Sequence, residues 1–266
     1  MAIATDASEP AVAVVTGAAK GIGRAIAARL SADGWSVVGV ARDTSGLEEA
    51  LGPIGGVAVP GDVRNPEILA RARQSAEKLG QLRAWVNNAA VVHLSPLHLM
   101  APEVIDEVLD INLRAVVMGT REALGSFLAH SVPGSIVNLS SIHGRAGFPG
   151  YGAYDTAKGG VEALTRYVCV EYGHLGVRCN AVAPGPVRTD IVPQVASGEP
   201  RPASFAAEAS ELTPMRRVSE PEEVASVVSF LVGGQSLSVN GHVLAVDLGM
   251  SAWSFAFPPD SAVVFG

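Results

Sequence analysis

Cysteine is nearly missing: Cys169 and Cys179 are the only two in 266 residues. Neither belongs to a CxxC pair, so a disulfide scaffold is excluded and both read as buried thiols. Histidine is sparse too, with six residues and no HxxxH or HExxH spacing, so no metal centre is expected. Charged residues make up only 17% of the chain, and the net charge of −7 comes without any run of Lys or Arg. A nucleic-acid partner would therefore meet general repulsion. Long apolar runs are absent: Val227 to Val232 falls far short of the roughly 20 residues that span a bilayer. Met1 to Pro10 carries Asp6 and Glu9 and lacks the basic start and apolar centre of a secretory leader, so the expectation is a cytoplasmic chain without a membrane partner. No GKS or GKT sequence occurs, which excludes a nucleotide triphosphatase loop, and no GxSxG elbow supports a serine hydrolase.

What is present is a chain that is 48% hydrophobic, with 29 Gly and 17 Pro and no collagen-like period. That composition and length predict one α/β domain over residues 1–266. Seven apolar runs, Val12–Thr16, Val37–Ala41, Val57–Pro60, Ala84–Asn87, Ser135–Leu139, Val177–Ala183 and Val243–Val246, are continuous rather than alternating. Strands of that kind are buried on both faces, as in a parallel sheet between helices. Helical spacing fills the intervals Arg24–Ala32, Glu67–Leu79, Pro102–Ala129, Tyr154–His174 and Pro221–Leu231. Alternation of this type predicts a doubly wound sheet. Ile191 to Pro214, rich in Pro, Ala, Ser and Glu, reads as a substrate lid over about residues 190–215, and residues 250–266 read as a C-terminal tail.

The first strand runs into Thr16-Gly17-Ala18-Ala19-Lys20-Gly21-Ile22-Gly23 and then a helix. Glycines at such a junction permit a tight turn and close approach of backbone to a pyrophosphate, while the helix N-terminus offers free N–H groups. The second strand ends Val40-Ala41-Arg42-Asp43. With Ala41 where an NAD enzyme usually has an acid, Arg42 can grip a 2′-phosphate with Lys20 as second cation, which favours NADP. Asp43 taking the ribose would favour NAD instead. Asp62-Val63 is placed to meet an adenine ring, and a turn-capping Asp62 is the competing reading.

Ser141 follows the fifth strand, and Tyr154 and Lys158 stand four residues apart on one helical face. A phenol is a poor base at neutral pH; lowering its pKa by about three units through a nearby ammonium takes roughly 4 kcal/mol. A Ser141 hydroxyl could hold the substrate oxygen. His143 and His93 both follow motif loops and read as hydrogen-bonded neighbours of the substrate rather than titrating groups.

With TGAAKGIG at Thr16 to Gly23, Asp62-Val63, NNAA at Asn87 to Ala90, Asn112, Ser141, Tyr154-x-x-x-Lys158 and Pro184-Gly185-Pro186-Val187-Arg188-Thr189, the sequence resembles the short-chain dehydrogenase/reductase family from about Ala11 to Gly249. The resemblance implies a Rossmann-type seven-stranded parallel sheet and hydride transfer between NAD(P) and a carbonyl or alcohol. It implies that Tyr154 is the general acid in reduction, Ser141 polarises the substrate oxygen, Lys158 lowers the tyrosine pKa and holds the nicotinamide ribose, and Asn112 fixes a relay water. A bend at Asn112 could free a carbonyl for that water. The implied cofactor contacts are Gly17, Ala19, Lys20, Gly21, Ile22, Gly23, Arg42, Asp62, Val63, Asn88, Ala89, Tyr154, Lys158, Pro184, Gly185, Val187 and Thr189. Asn87 and Asn88 are expected to brace the fourth strand and the cofactor loop. Two departures stand out: Ala90 where many relatives have Gly, and Asp247-Leu248-Gly249 where many have DGG.

The function expected is NADP(H)-dependent reduction of a small ketone or aldehyde by a homo-oligomer, a tetramer or dimer. The alternatives are an NAD-dependent alcohol, sugar or hydroxysteroid dehydrogenase and, from another class, a cofactor-sensing regulator without catalysis. Ser141, Tyr154 and Lys158 together weigh against the regulator, because a pure binder needs no proton relay.

Overall fold

The structure, a computed structural model, describes residues 10–189, 194–195 and 209–253. Strands β1 (Ala11–Thr16), β2 (Ser36–Ala41), β3 (Val57–Pro60), β4 (Gln81–Asn87), β6 (Gly134–Leu139), β7 (Val177–Pro184) and β9 (Val243–Val246) form one parallel sheet in the order β3-β2-β1-β4-β6-β7-β9. A second pairing joins β5 (His93–Leu94) to β8 (Gln194–Val195). The continuous apolar runs are buried as expected: Val12, Ala13, Val14 and Val15 have no exposed surface.

Helices cover both faces. Ile26 and Leu30 of α1 (Gly21–Ala32), Leu47 and Leu51 of α2 (Thr44–Leu51) and Val224, Val228 and Leu231 of α7 (Pro221–Val232) form one layer of core. On the other face, α3 (Pro66–Leu79), α5 (Ala115–Ala129) and α6 (Gly152–Tyr172) pack Leu69, Ala72, Phe127 and Val168 against Trp85 and Ile136. The chain's direction across the sheet reverses between β1 and β4, and a crevice opens there at the carboxyl ends of the strands.

The helices begin where their sequences supply caps. Asn65 accepts from the Glu67 N–H ahead of Pro66, and Glu220 and Glu223 form a capping box at α7. α2 was absent from the predicted helices; its start is set by Asp43, whose carboxylate accepts from the Gly46 N–H at 3.0 Å. The predicted helix Pro102–Ala129 is interrupted: α4 (Pro102–Leu109) leads into one π-helical turn, Asp110–Arg114, before α5. Among the described residues, no helix is long and apolar enough to cross a membrane. Cys179 is buried, which pushes its thiol up to about 12, and Cys169 is partly buried. Most of the expected lid, residues 190–193 and 196–208, and the tail from residue 254 lie outside the described residues.

Candidate active site

A cavity of about 680 Å³ opens along the carboxyl ends of β1, β2, β4, β6 and β7. At one end stands the glycine-rich turn. Gly17 has φ +69°, and a Cβ there would stand 2.8 Å from Asn88 Nδ2 and 2.9 Å from the Ala89 Cα. At Gly23 a Cβ would run into the carbonyl oxygen of Gly17, so the helix can lie this close to the turn only with glycine there. Lys20 at the start of α1 makes no side-chain cap, and the first turn holds no acidic residue. The N–H groups and positive end of the helix dipole are thus left for an anion. Residues of this turn fit a dinucleotide's pyrophosphate.

The turn is tied to β4 in the expected way. Asn88 Nδ2 donates to the Thr16 carbonyl at 2.9 Å, and Thr16 Oγ1 accepts from the Asn88 and Ala89 N–H groups at 2.9 and 3.1 Å. Asn87 faces the other way. Its side chain accepts from Trp85 Nε1 at 2.9 Å and donates to Asn138 Oδ1 at 2.8 Å, and Asn138 in turn donates to Thr165 Oγ1 at 3.0 Å. Three buried side chains on β4, β6 and α6 are locked beneath the cleft; Asn138 and Thr165 carry no motif that could have flagged them.

At the end of β2, Arg42 and Asp43 both line the cleft, and the Asp43 carboxylate is engaged in capping α2. Asp62 lies beside them with Val63. Its Oδ1 accepts from the Arg64 N–H at 2.9 Å and its Oδ2 from the Arg64 guanidinium at 2.7 and 3.1 Å. Asp62 therefore does cap its own turn while lining the cavity. Arg64, chiefly, holds the Asp62 carboxyl below its usual pKa, and the charge of Arg42 adds to this.

The opposite end of the cavity brings together Ser141 after β6 with Tyr154 and Lys158 on α6. Lys158 is 2% exposed, and its Nζ donates to the Leu139 carbonyl at 2.7 Å and lies 5.3 Å from the Tyr154 ring centre. Burial pulls the Lys158 pKa down to about 8. The net displacement of the phenol is upward, not downward as expected. Burial pushes Tyr154 up to about 12, the Ser141 hydrogen bond opposing it only in part, because a phenolate in this enclosed site loses more hydration than one serine returns.

Each residue expected to act in catalysis or to contact the cofactor, except Asn112, lines this one cavity, including Pro184, Gly185, Val187 and Thr189 from the loop after β7. Asn112 is fully buried inside the π turn; its Oδ1 accepts from the Val91 N–H at 3.1 Å and its Nδ2 donates to the Val91 carbonyl at 2.8 Å. It thus holds the loop after β4 rather than facing the cleft. His93 also stays off the cavity wall, 3.0 Å from Glu107, whereas His143 is on it, paired with Asp155. Phe148 and Tyr151, from the loop between Ser141 and Tyr154, and Leu212, from the expected lid, line the cleft, and Val91, Val92 and Met250, which sequence reasoning missed, add to this largely apolar wall. Among the described residues no cluster of His, Cys, Asp and Glu could hold a metal ion.

A family profile described as Enoyl-(Acyl carrier protein) reductase matches residues 17–251. The chain is 38% identical over 248 residues to 3beta-hydroxysteroid dehydrogenase 1 of Eggerthella lenta, covering 90% of this chain and 93% of that protein. It is 33% identical to Glucose 1-dehydrogenase 2 of Bacillus subtilis, covering 91% and 95%. Among solved structures, an actinorhodin polyketide ketoreductase with NADPH superimposes with a TM-score of 0.84 at 29% identity, covering 92% of this chain and 98% of that one. A 3-ketoacyl-(acyl-carrier-protein) reductase from Brucella melitensis complexed with NADH gives 0.84 at 28% identity, covering 91% and 99%.

Proposed function

The chain belongs to the short-chain dehydrogenase/reductase family, and from that premise we propose that it is an NADP(H)-dependent reductase of a ketone or aldehyde. The carrying observation is one cleft with a phosphate-binding glycine turn at one end and Ser141, Tyr154 and Lys158 converging at the other. A nicotinamide cofactor held in this cleft would supply the hydride. Ser141 donates to the substrate oxygen and fixes the carbonyl, and Tyr154 delivers a proton to that oxygen as negative charge develops on it. A phenol held at about 12 is protonated at neutral pH, the form a reductase needs at the start of its cycle. Lys158, anchored by Leu139, places a positive charge beside the tyrosine that steadies the phenolate left after proton transfer.

The cofactor preference rests on β2. Arg42 and Lys20 both line the cleft and would offer their cations to a 2′-phosphate, while the Asp43 carboxylate is occupied in capping α2. Residues Gly17 to Gly23 would cradle the pyrophosphate, Asp62 and Val63 would meet the adenine, and Asn88 and Ala89 would back the ribose. Pro184, Gly185, Val187 and Thr189 would hold the carboxamide. Asn112 contributes through the Val91 loop, and a backbone carbonyl of the π turn would hold the relay water. Exposed apolar residues Val117 and Leu128 on α5 and Tyr167 and Val170 on α6 support pairing of these helices between subunits of a dimer or tetramer.

Fluorescence titrations with NADPH and NADH at fixed ionic strength test the reading. NADPH should bind at least about tenfold more tightly, or about 1.4 kcal/mol. Equal or better NADH binding would turn the assignment to an NAD-dependent dehydrogenase, and binding of neither would remove the enzymatic reading.

A further inference from the structure

On the cleft wall beside Tyr154, one polar side chain has no part in the proton transfer just described. His143 Nδ1 lies 2.6 Å from Asp155 Oδ1, and the two side chains are 15% and 18% exposed. The second oxygen of Asp155 accepts from the Phe148 N–H at 2.9 Å, so the carboxylate is fixed at both ends. The imidazole is clamped between rings: its centre lies 4.0 Å from Phe148, 4.6 Å from Tyr151 and 5.2 Å from Tyr154, the last edge-on. A carboxylate accepts hydrogen bonds and does not donate, so Nδ1 carries the proton and Nε2 keeps a lone pair. Among the described residues, no polar atom is bonded to that Nε2. Burial, with the charge of Lys158, holds the imidazole pKa below its ordinary value against the pull of Asp155, so the ring is neutral at pH 7. Val91, Val92, Phe148, Leu212 and Met250 give the same cleft its apolar lining.

We propose that His143, oriented by Asp155, is a specificity-determining residue whose Nε2 accepts a hydrogen bond from a substrate hydroxyl near the reacting carbon, making the substrate a hydroxylated ketone on an otherwise apolar body. The inference rests on the reductase reading of this cleft. A ketone without that hydroxyl leaves a desolvated acceptor unpaired, which a rigid site penalises more heavily than a missing methylene. Asp155 acts through His143, as a positioning residue.

The test compares matched pairs. Cyclohexanone and 2-hydroxycyclohexanone are assayed with NADPH, and cyclohexanol and cis-1,2-cyclohexanediol are titrated by ligand-observed NMR against the protein with NADP⁺ present. The wild type should favour the hydroxylated member of each pair by about tenfold or more, chiefly through KM and Kd. His143→Phe should bring both ratios to about one, and His143→Gln, whose amide offers an acceptor, should restore part of the preference. Asp155→Asn can keep the Phe148 contact while donating to Nδ1, which moves the proton to Nε2, so the substrate hydroxyl must accept rather than donate and the preference should shrink without loss of fold. Ratios near one in the wild type, or ratios unchanged in His143→Phe, would overturn the proposal. If neither ketone turns over with either cofactor, the reductase reading fails, and the NMR ratios still decide the role of His143.

Discussion

The ammonium of Lys158 sits 5.3 Å from the centre of the Tyr154 ring, yet its 2.7 Å hydrogen bond goes to the carbonyl of Leu139. The buried lysine and the half-buried tyrosine thus stand side by side with opposite pKa displacements, Lys158 down to about 8 and Tyr154 up to about 12. Both displacements favour the neutral form, the common effect of removing water. A depression from 10.5 to about 8 corresponds to about 3 kcal/mol of folding free energy. Between those values the unfolded chain binds the proton and the folded one does not, so this cost is present at neutral pH and relieved as pH rises from about 8 to about 10.5. Lys158→Met should lack that relief. Thermal melts of both proteins across this range should show the wild type gaining on the variant, and parallel curves would contradict a charged, buried lysine at neutral pH.

Tyr154→Phe removes the phenol oxygen and leaves the ring that packs against His143 and Tyr151. Cofactor affinity should stay within about threefold of wild type, while kcat falls by roughly 10²–10⁴-fold, the usual worth of a positioned proton donor. Steady-state kinetics beside a NADPH titration separates the two. Turnover near wild type would remove Tyr154 from the chemistry.

The inner strands were legible because they are buried on both faces, so their apolar runs are continuous; the edge strands β3 and β9, only half-buried, still match their predicted limits, Val57–Pro60 and Val243–Val246. The short β5–β8 pair was not, since two residues per strand leave no pattern to read. α2 escaped because its start depends on Asp43, which the sequence presents equally well as a ribose ligand. In the site, Tyr154 and Lys158 were found through their four-residue spacing, which puts them on one helix face. Asp155 was passed over because a neighbour at i+1 points off that face, and only the fold shows that it meets His143. The direction of the Tyr154 displacement was also beyond the sequence, which shows the ammonium but not how completely the phenol is enclosed.

Arg42 and Asp43 are adjacent but should separate cleanly on mutation. Arg42→Ala should weaken NADPH binding by about tenfold or more, about 1.4 kcal/mol, with little change for NADH. Asp43→Ala removes the acceptor for the Gly46 N–H and should cost about 1 kcal/mol of stability, about 2–4 °C in Tm, with cofactor preference retained. Melting curves and paired titrations of both variants check this. A switch toward NADPH in Asp43→Ala would instead assign Asp43 to the ribose.

Asn112 offers the sharpest separation of scaffold from chemistry. Its amide satisfies both backbone groups of Val91, the N–H at 3.1 Å and the carbonyl at 2.8 Å, and Val91 lines the cleft. Asn112→Ala should leave both groups without that partner at a cost of about 1–3 kcal/mol, and kcat/KM should fall as the loop loses its fixed position. Asn112→Asp keeps an acceptor for the N–H but sets a carboxylate oxygen against the Val91 carbonyl, so only one of the two bonds survives. Its Tm should therefore not recover to the wild-type value, and its activity should fall with the loop. Thermal melts and kcat/KM on the same preparations decide the point: full activity in a destabilised Asn112→Ala would confine Asn112 to the scaffold, whereas a lost kcat at wild-type Tm would place it in the proton relay.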